Sequence, residues 1–209
     1  MILIFDTETS GMPLWKEAAD HPGQPRIVQL AALLCSDDLE IQDDLNVIVR
    51  PDGWTVQEGA ARVHGISTER AMDEGRPIAE VMEAFEGLWD PAITVTAYNA
   101  RFDLKMIRGE RRRLGQPDGY GTKPVFDPMK ACAPICAIPP TPAMLRAGRG
   151  YPKTPKLSEA FEFLCSTPML DAHDAMADVK ATREVLRRLR DEHGVDITGT
   201  PEKSWKETA

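Results

Sequence analysis

The chain opens on a wholly apolar run, Met1-Ile-Leu-Ile-Phe5. A strand with no polar face must be covered on both sides, so residues 1–5 are predicted to lie at the centre of a mixed or parallel sheet. Residues 11–26 are polar and rich in Pro and Gly, which predicts a loop. Ile27 to Cys35 is the next apolar run, and beyond it Leu45, Val47 and Val49 alternate with Asn46, Ile48 and Arg50 in a third strand. The acidic turn Ser36-Asp37-Asp38 makes these two strands antiparallel neighbours.

Helical spacing starts at Ile78 and continues through Val81, Met82, Phe85, Leu88 and Trp89, with Pro77 in a favourable first-turn position and Pro91 ending the run. Ala92 to Ala97 is a short β-branched strand, Phe102 to Leu114 a second helix, and Lys123 to Asp127 a last short strand. Segment 134–155 holds six of the 17 prolines and is predicted as a loop or flap. Helices resume over Leu157–Leu164 and Asp174–His193, where Met176, Val179, Thr182, Val185, Leu186 and Leu189 share a face. Strands followed by alternating helices and strands give one α/β domain. Its expected bounds are 1–193, with a frayed tail over 194–209 that carries Trp205.

A chain of 209 residues with 42% apolar content can bury one core. Its apolar runs fall short of a membrane span and its start lacks the basic leader of a signal peptide, so a cytoplasmic, membrane-free protein is expected. Four cysteines (Cys35, Cys132, Cys136, Cys165) are too few and too irregular for a disulfide framework, and are expected as buried thiols. The formal charge of −8 argues against whole-surface binding of nucleic acid through Lys and Arg. It leaves open an enzyme that reaches phosphates through metal ions.

Asp6-Thr7-Glu8 follows the first strand, and alternation along an extended chain turns Asp6 and Glu8 the same way and Thr7 the other. Two carboxylates closing an apolar strand repel each other and resist desolvation unless a cation compensates them. Asp103 comes where the Ile93–Ala97 strand gives way to a helix. His173 and Asp178 are about 140° apart on an ideal helix, so His173 belongs to the preceding loop, Asp174 to a cap position and Asp178 to the first turn. Each element has an ordinary reading when taken alone. The first pair fits a solvated strand end, Asp103 a helix cap, and a loop histidine a surface hydrogen-bonder.

The ordered set Phe5-Asp6-Thr7-Glu8-Thr9, Asn99-x-x-Phe102-Asp103 and His173-x-x-x-x-Asp178 resembles the three exonuclease motifs of the DEDD superfamily. The histidine is similar to that of the DEDDh branch, which includes the proofreading subunit of bacterial DNA polymerase III. Val28 to Ala32, Val63-His64-Gly65-Ile66-Ser67 and Phe126-Asp127 resemble further family segments, so the likeness runs over residues 1–190. Ser10-Gly-Met12, the long 11–26 loop and the Pro-rich insertion depart from the family pattern. The resemblance implies a three-layer ribonuclease-H-like fold with a five-stranded mixed sheet flanked by helices. It implies that Asp6, Glu8, Asp103 and Asp178 bind two divalent ions, Mg²⁺ or Mn²⁺, in a two-metal-ion mechanism with His173 as general base. The reaction implied is 3′→5′ hydrolysis of DNA ends, single-stranded or frayed, to 5′-mononucleotides, with a DNA polymerase as partner. Degradation of RNA is the alternative within that chemistry, and a non-catalytic polymerase-associated module the alternative outside it. A nucleoside-triphosphate hydrolase is disfavoured, since no Gly-x-x-x-x-Gly-Lys-Ser/Thr loop occurs in the sequence. The likeness also implies substrate contacts at Thr7, Thr9, His64, Asn99 and Phe102. Phe102 reads equally well as core, Asn99 as a turn residue and His64 as a structural loop residue. Arg146, Arg149, Lys153 and Lys156 form an acid-free basic window in the Pro-rich segment, expected to grip single-stranded substrate.

Overall fold

A computed structural model of the chain describes residues 1–119, 121–170 and 173–199. The first strand, β1 (Ile2–Thr9), is the centre of a five-stranded sheet. It pairs antiparallel with β2 (Ile27–Cys35), which pairs antiparallel with the edge strand β3 (Ile41–Ile48). On its other side β1 runs parallel to β4 (Thr94–Thr96), and β4 parallel to β5 (Val125–Phe126). The order β3-β2-β1-β4-β5 is the mixed sheet expected for the ribonuclease-H-like fold. All nine residues of β2 are buried, because that strand has a neighbour on each edge and is covered on both faces.

The period of two along β1 assigns its side chains to two cores. Leu3 and Phe5 pack with Val81, Met82, Phe85, Leu88 and Trp89 of helix α3 (Ile78–Trp89) and with Met106 and Ile107 of α4 (Ala100–Arg113). Ile2 and Ile4 face the long C-terminal helix (Ala175–His193), packing with Ala175, Met176, Val179 and Leu186. Two short helices, α1 (Glu58–His64) and α2 (Thr68–Glu74), precede α3 and close a small cluster of Val28, Val56, Ile66 and Ala71. Helices α5 (Pro128–Cys136), α6 (Pro142–Arg146) and α7 (Leu157–Cys165) complete the series before the C-terminal helix, α8.

Several boundaries differ from the sequence expectation. Strand β1 runs through Asp6 and Glu8 to Thr9, so the acids lie within the strand and not after it. Strand β3 begins at Ile41, four residues early, because the ladder to β2 continues where the exposed side chains show no apolar alternation. Helices α1 and α2 went unassigned, each being only seven residues long. Segment 134–155 is partly helical. Pro134 is accommodated inside α5, and Pro142 stands at the first turn of α6, where proline starts a helix instead of breaking one. Of the expected frayed tail, Val195 and Ile197 pack against the α8 core and Ile197 is 3% exposed. Residues 200–209, with Trp205, lie outside the described residues. Cys35, Cys132 and Cys136 are buried thiols as expected, whereas Cys165 is half-buried. Among the described residues no helix is long and apolar enough to cross a membrane.

Candidate active site

Because β1 has a period of two, Asp6 and Glu8 project from the face that carries Ile2 and Ile4, toward the start of α8. Asp178 sits in the first turn of that helix. His173 precedes it in the left-handed conformation (φ 74°), and its backbone N–H donates to Asp178 Oδ1 at 3.3 Å. One ligand atom each from Glu8, His173 and Asp178 lies within 4.8 Å of the others. Thr7 points the other way, as alternation requires, and meets Asp103 in the first turn of α4. Its backbone N–H and its hydroxyl both donate to Asp103 Oδ1, at 2.9 and 2.8 Å. Asp103 is only 2% exposed.

The electrostatics join these groups into one site. Burial raises the Asp6 carboxyl well above its usual range, and the charges of Asp103, Asp178, Glu8 and Asp174 raise it further. Burial first, then Asp178, Asp103 and Asp174, push Glu8 up to about 8. Asp103 is pushed up to about 7 by burial, against the pull of the two Thr7 hydrogen bonds. Asp178 rises to about 6, again mainly through burial, with His173 opposing. The charges acting on Asp6 and Glu8 are thus all carboxylates. A cluster of oxygen donors with uncompensated negative charge fits hard divalent cations.

The start of α8 is fixed by contacts that the sequence reading missed. Gln29 is the β2 partner of Glu8 and is 4% exposed. Its side-chain amide donates to Asn46 Oδ1 at 2.9 Å and to Asp174 Oδ2 at 3.2 Å, and its carbonyl oxygen accepts from the Ala175 N–H at 3.3 Å. Asp174 is the N-cap expected from the sequence, accepting from the Ala177 N–H at 3.0 Å. A polar residue in the middle of an apolar strand was the available signal for Gln29.

The expected substrate residues occupy varied settings. Thr7 is engaged with Asp103, as above. The Thr9 hydroxyl donates to the Gly11 carbonyl at 2.8 Å, and the Thr9 carbonyl lies 3.3 Å from His64 Nε2. The Ile66 N–H donates to His64 Nδ1 at 3.2 Å, so Nε2 carries the proton and donates to Thr9. Burial lowers the His64 pKa against the opposing hydrogen bond to Thr9, with His173 adding to the lowering. Asn99 takes the left-handed conformation (φ 66°) before α4, and its backbone N–H donates to Asp127 Oδ1 at 3.0 Å. Phe102 is half-buried and packs against the α3–α4 core and against Trp15, with ring centroids 6.4 Å apart. The basic window is less free than its sequence implied, since Lys153 pairs with Glu159 at 2.5 Å from the next helix.

Fold and site together describe a cluster of buried and half-buried carboxylates set on a ribonuclease-H-like sheet. The RNase_T family of exonucleases matches residues 3–186, and the chain belongs to that family. Among solved structures it is similar to Escherichia coli exonuclease I in complex with a dT13 oligonucleotide (TM-score 0.74, 22% identity, 92% of this chain and 41% of that one). It is also similar to the zinc-ion-bound form of an exonuclease I–ssDNA complex from E. coli (TM-score 0.69, 22% identity, covering 92% and 41%). The chain therefore spans about two-fifths of the length of these structural relatives. No curated protein matches it.

Proposed function

We propose that the chain is a divalent-metal-dependent 3′→5′ exonuclease that trims single-stranded DNA ends to 5′-mononucleotides. The observation that carries this reading is one acidic site in which Glu8, His173 and Asp178 offer ligand atoms within 4.8 Å of one another while the charges of Asp103, Asp178 and Glu8 act on Asp6. These four acids would hold two Mg²⁺ or Mn²⁺ ions, which when bound supply a lowered water pKa and charge neutralisation at the phosphate. The chain's own groups do the rest. Thr7 fixes one oxygen of Asp103, and Gln29 with Asp174 fixes the helix start that carries Asp178. His173 takes the proton of the attacking water at a ring nitrogen. The P–O3′ bond breaks, O3′ stays on the shortened strand and takes up a proton from solvent, and the released nucleotide carries the phosphate on its 5′ oxygen. Thr9, His64, Asn99 and Phe102 are assigned to the terminal nucleotide, which the placement of His64 beside Thr9 and of Phe102 next to Asp103 supports.

A module that merely binds DNA ends does not require every acid, whereas this chain keeps all four and the histidine. The exonuclease domain is taken as residues 1–193, with the Pro-rich segment 134–155 inside it; of the tail 194–209 beyond, Val195 and Ile197 pack back onto it.

Single-stranded DNA and RNA labelled at either end, incubated with and without Mg²⁺, test the reading. Labelled mononucleotide should appear at once from 3′-labelled DNA, and a shrinking ladder from 5′-labelled DNA, with EDTA stopping both. Release from the 5′ end, internal cuts or indifference to EDTA would refute it, and a preference for RNA would redirect it to the oligoribonucleotide alternative. The polymerase partner implied by the resemblance is tested separately, by cosedimentation with a replicative polymerase.

A further inference from the structure

Immediately beyond Thr9 the chain leaves the sheet in the long loop 10–26, returning to pair at Ile27. The loop presents three large apolar side chains to solvent: Met12 is 77% exposed, Leu14 41% and Trp15 40%. Single exposed apolar side chains are ordinary, but three of them within four residues of one loop form a local apolar surface. The loop is also held in shape. Gln24, 4% exposed, accepts from the Leu14 N–H at 2.9 Å, and its amide donates to the carbonyls of Leu14 at 2.8 Å and Ala18 at 3.0 Å. Lys105 of α4 donates to the Glu17 carbonyl at 2.6 Å and ties the loop to the helix that bears Asp103. Trp15 thereby rests on the first turn of α4. Its ring meets Phe102 at 61°, and the exposed guanidinium of Arg101 lies 4.7 Å from its centroid.

An indole beside a guanidinium, on the first turn of the helix that bears Asp103, offers a base its flat face and a phosphate its charge. Because the chain is acidic overall (−8), attraction to a phosphate away from the acidic cluster depends on local cations such as Arg101. We infer that Trp15 and Arg101 form a platform for the nucleotide just upstream of the terminal one, with the base against the indole and the backbone phosphate at Arg101. The platform rests on the exonuclease reading and deepens it, because it makes single-stranded nucleic acid the preferred substrate. A paired base cannot lie flat on a protein ring. Gln24 holds the loop before substrate arrives, so little ordering remains for binding to offset.

Two substrates separate the platform from the chemistry: a short oligothymidylate, which reaches it, and the 4-nitrophenyl ester of thymidine 5′-monophosphate, which has no second base. Trp15→Ala should raise KM for the oligomer roughly 5- to 100-fold, the range of one stacking contact, with kcat little changed. The ester should be hydrolysed as by the wild type, and Trp15→Phe should restore most of the oligomer KM. An unchanged oligomer KM, or an equal rise for both substrates, would overturn the platform.

Binding is read independently of hydrolysis by titrating tryptophan fluorescence with oligothymidylate, with calcium in place of magnesium. Quenching that disappears in Trp15→Phe supports the platform even if no substrate is cleaved, the outcome in which the exonuclease reading alone would fail. Absence of quenching in the wild type would overturn the platform while leaving that reading to stand on its own assay.

Discussion

Asp103 is almost wholly buried, and one of its oxygens accepts two hydrogen bonds from a single residue, Thr7. A buried carboxylate so held keeps its geometry when the adjoining charges change, which a metal ligand requires. Thr7→Val keeps the shape and removes the hydroxyl donor, at a cost of about 1 kcal/mol of stability. It should also weaken Mn²⁺ affinity measurably by calorimetry without abolishing it. His173 is the more open case, because its ring shares the 4.8 Å group with Glu8 and Asp178. As general base it should be dispensable for metal binding. His173→Ala is then expected to lower kcat by about 10²- to 10⁴-fold while Mn²⁺ titration stays near wild type. A parallel collapse of Mn²⁺ affinity would make it a ligand instead.

At the scale of elements, the site depends on how the start of α8 is anchored to the sheet. Gln29 does this from β2 with hydrogen bonds to Asn46, Asp174 and Ala175. Gln29→Leu leaves the Ala175 N–H and the Asp174 carboxylate short of a partner. It should cost about 1–3 kcal/mol in urea unfolding and lower activity by loosening Asp178. The core elements were legible in the sequence, β1 and β2 as continuous apolar runs buried on both faces and α3 and α8 through their helical period. The edge of β3 and the helices α1 and α2 were not. Their residues are largely exposed, and backbone pairing and capping, not side-chain pattern, decide them. The Pro-rich segment misled for a different reason: Pro142 sits at a helix start, where a missing N–H costs nothing, and Pro134 is accommodated inside α5.

Over the whole molecule, the four acids stand out as an ordered set along the chain, but their spatial relations do not follow from that order. Nor does it reveal that Thr7 serves Asp103, that Gln29 anchors α8, or that Glu159 neutralises Lys153 from outside the basic window. Such partners lie far apart in the chain and follow only from the packing of strands and helices. The combined charge of the cluster has a global consequence. Carboxyl groups with raised pKa values favour the folded state while protonated, so their contribution is intact below about pH 4, where the unfolded groups also hold their protons. It is lost as pH rises through about 6 for Asp178, 7 for Asp103 and 8 for Glu8. In EDTA the melting temperature should therefore fall between about pH 5 and 9, and the stabilisation by Mg²⁺ should grow over that range, because the ions compete with protons for the same oxygens. Differential scanning fluorimetry across pH, with and without Mg²⁺, checks both trends.

The central claim is that Asp6, Glu8, Asp103 and Asp178 together bind a pair of divalent cations. Anomalous scattering from a crystal grown with Mn²⁺ at about pH 8 tests it most directly. Two peaks roughly 3.5 to 4 Å apart, ligated by these four side chains, are predicted. Carboxylates lying apart with no manganese between them, or manganese bound only elsewhere on the surface, would contradict it.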